Sequence, residues 1–139
     1  MIKGKTNSEG VKAAIARAFD DYAAPTRCYY DRAPTNAPFP YAVIRNLQIT
    51  TLSEGDSAVF DLELHGDETD ENAAADMLEG LCDAYRSRAE GSIITDGETF
   101  SGHVNFESER QGGADAEFDL MRRTLSFTLR FFYYHQRRR

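Results

Sequence analysis

The sequence predicts an α+β fold: an antiparallel sheet of four strands, or slightly more, with two helices packed on one face. The predicted order is helix–strand–strand–helix–strand–strand. Three observations lead there. Two segments carry apolar residues at three- and four-residue steps, one near the start of the chain and one in the middle. Each is followed by stretches in which apolar and polar residues alternate, the pattern of strands with one wet face. The length, 139 residues, fits a single domain over 1–139 and allows burial of about two-thirds of the unfolded surface.

The first helix is read from Val11, Ala14, Ile15, Ala18, Phe19 and Tyr22, which share one stripe. Asn7 or Ser8 is expected to cap it, because a short side-chain oxygen accepts from the orphan N–H groups of the first turn. Pro25 is expected to stop it, lacking an N–H and disfavouring a helical residue before it. Pro34, Pro38 and Pro40 then mark a loop in which no central strand can run, with Cys28-Tyr29-Tyr30 as a short strand before it.

Tyr41 to Thr51 is β-branched and aromatic, with Val43, Leu47 and Ile49 predicted on one face. Ser53-Glu54-Gly55-Asp56 is a turn cluster. Ala58 to His65 follows with Phe60, Leu62 and Leu64 inward and Val59, Asp61, Glu63 and His65 outward, so the two strands read as a hairpin. Asp67, Glu68, Asp70 and Glu71 then precede a helical pattern, where negative charge complements the helix dipole. That second helix is predicted from about Glu71 to Arg88, with Ala74, Met77, Leu78, Leu81, Cys82 and Tyr85 inward and Gly91 ending it.

Beyond Gly91 the pattern weakens. Ile93-Ile94 reads as a short strand, Asp96-Gly97 as a turn, and Val104 with Phe106 as a strand through HVNFESE. Residues 111–115 form a glycine-rich connection. Leu120 to Tyr134 is the longest strand: Leu125, Phe127, Leu129, Phe131 and Tyr133 share one face, and Arg122, Thr124, Ser126, Thr128 and Arg130 the other. Phe132 and Tyr134 break the polar face at its end. Either a partner or a loop of the same chain covers an end that is apolar on both sides.

Composition narrows the function. The chain is 41% hydrophobic and 12% aromatic, too apolar for disorder. Sixteen basic residues stand against 23 acidic ones, a net charge of -7, which repels a phosphate backbone unless the bases gather on one face. No apolar run approaches the length of a membrane span and the first residues lead into a polar stretch, so a cytoplasmic product without a signal peptide is expected. Cys28 and Cys82 make no framework and read as free thiols, with Cys82 buried on the second helix.

No chemistry-bearing constellation stands out. His65 and His103 fall on polar strand faces and His135 in the tail, without zinc-ligand spacing, and the cysteines lack CxxC spacing. The acidic run lacks the glycine and the final glutamate of an EF-hand loop. No nucleophile elbow, phosphate loop or dinucleotide fingerprint is present. No catalytic, cofactor-binding or metal-binding residue is therefore predicted, and no cofactor; the expectation is a protein that is not an enzyme. Arg137 to Arg139 give a flexible basic tail over 135–139 on an acidic body, read either as a solvated terminus or as an arm for an acidic patch or a nucleic acid.

The succession VKAAIARAFDDY, PFPYAVIRNLQITT, VFDLELHGDE, ENAAADMLEGLCDAYRSR and RRTLSFTLRFFYY resembles the tail terminator (tail completion, or tail-to-head joining) proteins of long-tailed bacteriophages and prophages. The resemblance runs from roughly position 8 to 134 and is weakest over 92–118. It implies a structural virion protein of the tail–neck region, made in the bacterial host cytoplasm. It would form a homo-oligomeric ring, a hexamer, on the last ring of tail-tube protein, end tube polymerisation and offer a surface to the head connector. DNA would pass through the bore without specific binding, which an acidic lumen suits. The subunit or partner contact expected on this basis comprises Phe132, Tyr133 and Tyr134 with Arg122 and Arg130. The acidic lumen candidates, chosen for expected exposure, are Glu54, Asp56, Asp67, Glu68, Asp70 and Glu71. Another small neck or minor capsid protein of the head–tail joint is the nearest alternative. A ligand-binding or enzymatic α+β domain, with a pocket holding His65 or His103, is a more distant one, and nucleic-acid binding through the arginine tail runs against the net charge.

Overall fold

The structure is a computed structural model that describes residues 7–23, 26–52, 55–66, 71–95, 100–111 and 122–133. Its elements are α1 (Asn7–Tyr22), β1 (Arg27–Tyr30), β2 (Tyr41–Leu52), β3 (Gly55–His65), α2 (Glu71–Ala89), β4 (Ile93–Thr95), β5 (Phe100–Gln111) and β6 (Arg122–Tyr133). The strands form one sheet in the order β1-β2-β3-β6-β5-β4. β1 runs parallel to β2 and every other pair is antiparallel.

This corrects the expected four-stranded antiparallel sheet. The sheet is mixed, has six strands and curls into a half-barrel, and the order is helix, three strands, helix, three strands. The two edge strands account for the difference. β1 and β4 hold four and three residues, and though both segments read as short strands, that length is too little to tell where they pair in the sheet. β1 is parallel because residues 31–40 carry the chain back along it, so that β2 begins beside Arg27 rather than beside Tyr30. Both edge strands contact α1, so the sheet wraps that helix.

α1 buries Val11, Ala14, Ile15 and Phe19, with Ala18 and Tyr22 packed at the margin. Ser8 lies within the helix rather than before it, and Pro25 lies outside the described residues. α2 buries Leu78, Cys82, Tyr85 and Ala89. Met77, expected inward, is 51% exposed, because it sits on the rim of the stripe that these four residues define. Of Ala74 only the backbone is described.

Phe19 is the centre of the core. Its ring meets Phe127 at 5.2 Å, Phe60 at 5.4 Å, Tyr22 at 4.9 Å and Tyr85 at 6.2 Å. One ring thus joins both helices to β3 and β6, and burying each such side chain contributes about 1.5–3 kcal/mol. β3 alternates as expected, with Ala58, Phe60, Leu62 and Leu64 buried, and β6 follows with Leu125, Phe127, Leu129 and Phe131. The inward side chain expected at Tyr133 lies outside the description.

β2 departs from its expected face. A register shift between Arg45 and Gln48, with Asn46 at φ 60°, inserts a bulge that changes parity. Before it Ala42 and Ile44 face the core; after it Leu47 and Ile49 do. Val43 is buried on the opposite, helix-free face instead. Cys28 and Cys82 are free and buried. No described helix is long and apolar enough to cross a membrane.

Candidate functional site

The helix-free face of the sheet gathers most of the expected contact residues, but it separates them. Arg122 stands opposite His65 at one end of β6, while Arg130 and Phe132 stand opposite Ser57 and Ser101 at the other. Roughly 30 Å of strand lies between Arg122 and Phe132, so the two stand at opposite ends of β6 rather than side by side. Phe132 is 50% exposed on a face otherwise occupied by Arg, Thr and Ser. Gly55 lies beneath it: a Cβ there would sit 3.1 Å from the Phe131 carbonyl oxygen and 3.6 Å from the Phe132 ring, and the residue has φ 136°. Tyr133 contributes its backbone beside Phe100; its side chain and Tyr134 lie outside the described residues.

Of the acidic candidates, Asp56 is only 8% exposed and shares the inward register of Ala58 and Phe60, so the exposure expected for it is absent. It neighbours Phe131 across the sheet, at the same end as Phe132. Glu54, Asp67, Glu68 and Asp70 lie outside the described residues, and of Glu71, the first residue of α2, only the backbone is described.

The middle of this face is a polar seam. Asp61 accepts from Ser126 Oγ at 2.7 Å and Asn46 Nδ2 at 3.0 Å, with Arg110 at 3.6 Å. Glu63 lies 3.3 Å from His65 Nε2 and 3.7 Å from Arg45. The His65 contact holds the Glu63 carboxyl below its usual range, against the effect of burial and with help from Arg45. Beside them the Tyr41 ring stacks on His65 at 4.9 Å and on Phe39 at 5.4 Å. Phe39 is 47% exposed. Its one sequence signal is an aromatic residue bracketed by Pro38 and Pro40 in a loop, which the hydropathy pattern does not register.

The Glu63–His65 pair is the nearest approach to an acid–base couple, yet it stands on an open sheet face. The concavities lie elsewhere. A groove of about 600 Å³ runs between α1 and the sheet edges, lined by Arg17, Asp20, Asp21, Arg27 and Ile93 among others. A crevice of about 450 Å³ is lined by Glu79, Glu109, Arg110 and Arg123. The second is an ion network: Arg123 lies 2.9 Å from Glu79 and 3.3 Å from Glu109, and Arg86 bonds both Glu109 and Asp83. These contacts tie α2 to β5 and β6. Among the described residues no cluster of three or more His, Cys, Asp and Glu could hold a metal ion.

No protein-family model matches the chain, and no curated protein sequence matches it.

Proposed function

We propose that the protein is a structural component of a phage or prophage virion: a ring-forming tail terminator that caps the tail tube, ends its polymerisation and joins the tail to the head connector. The reading rests on the sequence resemblance, and one structural observation supports it most. Phe132 is a large aromatic left half in solvent at the end of a strand whose other residues on that face are polar. A monomer gains nothing from that exposure, whereas a subunit contact buries it. Arg130, two residues earlier on the same face, is exposed and available at the rim of such a contact. A closing head-to-tail rotation between copies produces the ring, and the net charge of -7 suits a bore through which DNA passes unheld.

The test is to add the purified protein to polymerising tail-tube protein and measure tube lengths. A terminator shortens the length distribution at substoichiometric amounts, and Phe132→Ser weakens the effect. A different neck or minor capsid protein of the head–tail joint leaves tube growth unchanged.

A further inference from the structure

We propose that the groove between α1 and the edge strands receives Phe132 and Arg130 of a second copy of this chain. The proposal rests on the reading of Phe132 as the subunit contact and adds the surface that it enters.

The groove, of about 600 Å³, is apolar inside and charged at its rim. Ala14 and Ala18 come from α1, one helical turn apart, and Ile93 and Ile94 from β4. Two methyl side chains on the helix side leave space that a ring from outside can fill. Ile93 is 68% exposed, the most exposed large apolar side chain among the described residues. The monomer leaves both Ile93 and Phe132 in water, and a contact that seats one against the other covers both.

Charge selects the occupant. Asp20 and Arg27 already pair at 3.1 Å on one wall of the groove. Arg17 and Asp21, both exposed on α1 at the rim, have no hydrogen bond or ion pair among the described residues. Arg130 has none either. It is exposed two residues before Phe132, so it lies beside that ring on the same face. Arg130 complements Asp21, and the Phe132 ring offers its face to the Arg17 guanidinium. Both unpaired charges of the groove thus find a counterpart in one short segment of β6. The ring is also placed in advance: it lies 3.6 Å from where a Cβ on Gly55 would stand. Little side-chain freedom is then lost on docking.

Phe132 stands on the helix-free face and the groove on the helix side, so one chain cannot bring the two together. Every copy carries one projection and one groove on opposite faces of its sheet. That is the arrangement of a heterologous contact, which closes into a ring when the rotation between copies allows it.

The experiment uses the full chain and reads its solution mass by light scattering, with far-ultraviolet circular dichroism as the check on folding. Wild type is expected to assemble. Asp21→Arg and Phe132→Ser, both at exposed positions, are each expected to fold and to stay monomeric. An equimolar mixture of these two variants is expected to reach the mass of two subunits and no more, because the intact Phe132 of the first fits the intact groove of the second. Asp21→Arg with Arg130→Asp in one chain is expected to restore assembly. An Asp21→Arg protein that assembles like wild type overturns the groove even if Phe132→Ser does not assemble, and leaves Phe132 as a subunit contact made elsewhere. A mixture that stays monomeric overturns it too, as does a wild-type chain that stays monomeric at its highest soluble concentration. Failure of wild type to shorten tubes ends the terminator reading alone, since the contact is judged by mass.

Discussion

The hydroxyls of Tyr22 and Ser92 lie 2.6 Å apart, joining the last residue of α1 to the residue that precedes β4. At the other edge of the sheet the Asp20 carboxylate accepts from the Cys28 N–H at 2.9 Å and lies 3.1 Å from Arg27 Nε. Two residues of α1 thus fasten the two ends of a curled sheet, and the half-barrel is closed by side chains of one helix turn.

Tyr22→Phe removes the first fastening while keeping the ring against Phe19. The expected loss is about 1 kcal/mol, the net worth of one hydrogen bond. Denaturant unfolding measures it, and Ser92→Ala is expected to cost a similar amount without adding to the loss in the double variant.

The second fastening depends on pH. The Cys28 N–H, assisted by Arg27 and opposed by burial, holds the Asp20 carboxyl below its ordinary value of 3.8. Folding therefore favours the ionised form. Its contribution is complete above that ordinary value and is lost as pH falls through the lower folded one. Asp20→Asn is expected to lower stability at neutral pH and to flatten the loss of stability below about pH 4. Unfolding curves of the two proteins across that range give the comparison. Glu63, held down by His65, adds a second slope of the same sign.

The core predicts a contrast between two aromatic residues. Phe19→Ala empties the junction of four rings and is expected to cost about 3–5 kcal/mol. The Tyr85 hydroxyl is buried without a hydrogen-bond partner among the described residues. Tyr85→Phe is therefore expected to be neutral or to stabilise by about 1 kcal/mol, since it removes an unsatisfied polar group and keeps the ring. Thermal unfolding distinguishes the two readily.

Burial pushes the thiols of Cys28 and Cys82 up to about 12. Neither carries a thiolate at neutral pH, so neither is a ready nucleophile. A thiol-reactive chromophore at pH 8 is expected to leave the folded protein unmodified and to titrate both residues once denaturant is added. Rapid reaction of either in the folded state contradicts the packing described for it.

The long elements were legible in the sequence because each buries one face. The stripe Val11–Phe19, the alternation Phe60–Leu64 and the run Leu125–Phe131 all point where the structure puts them. What was not legible is what one face cannot encode. The bulge at Arg45–Gln48 changes parity without any change in residue type, so simple alternation puts Val43 on the face of Leu47 and Ile49. β1 owes its place to a parallel pairing that a four-residue segment cannot announce, and β4 to a pairing of three residues. For the candidate site, Phe132 was legible as an aromatic out of phase on a polar face. The exposure of Met77 was not legible, because the sequence shows which stripe of α2 is apolar but not how far the sheet reaches around it.

Electron microscopy of tail tubes grown with the protein present tests the central claim most directly. The account predicts short tubes, each closed at one end by a single added ring, with Phe132→Ser leaving ends bare. Tubes of unaltered length with no added density at either end would contradict it.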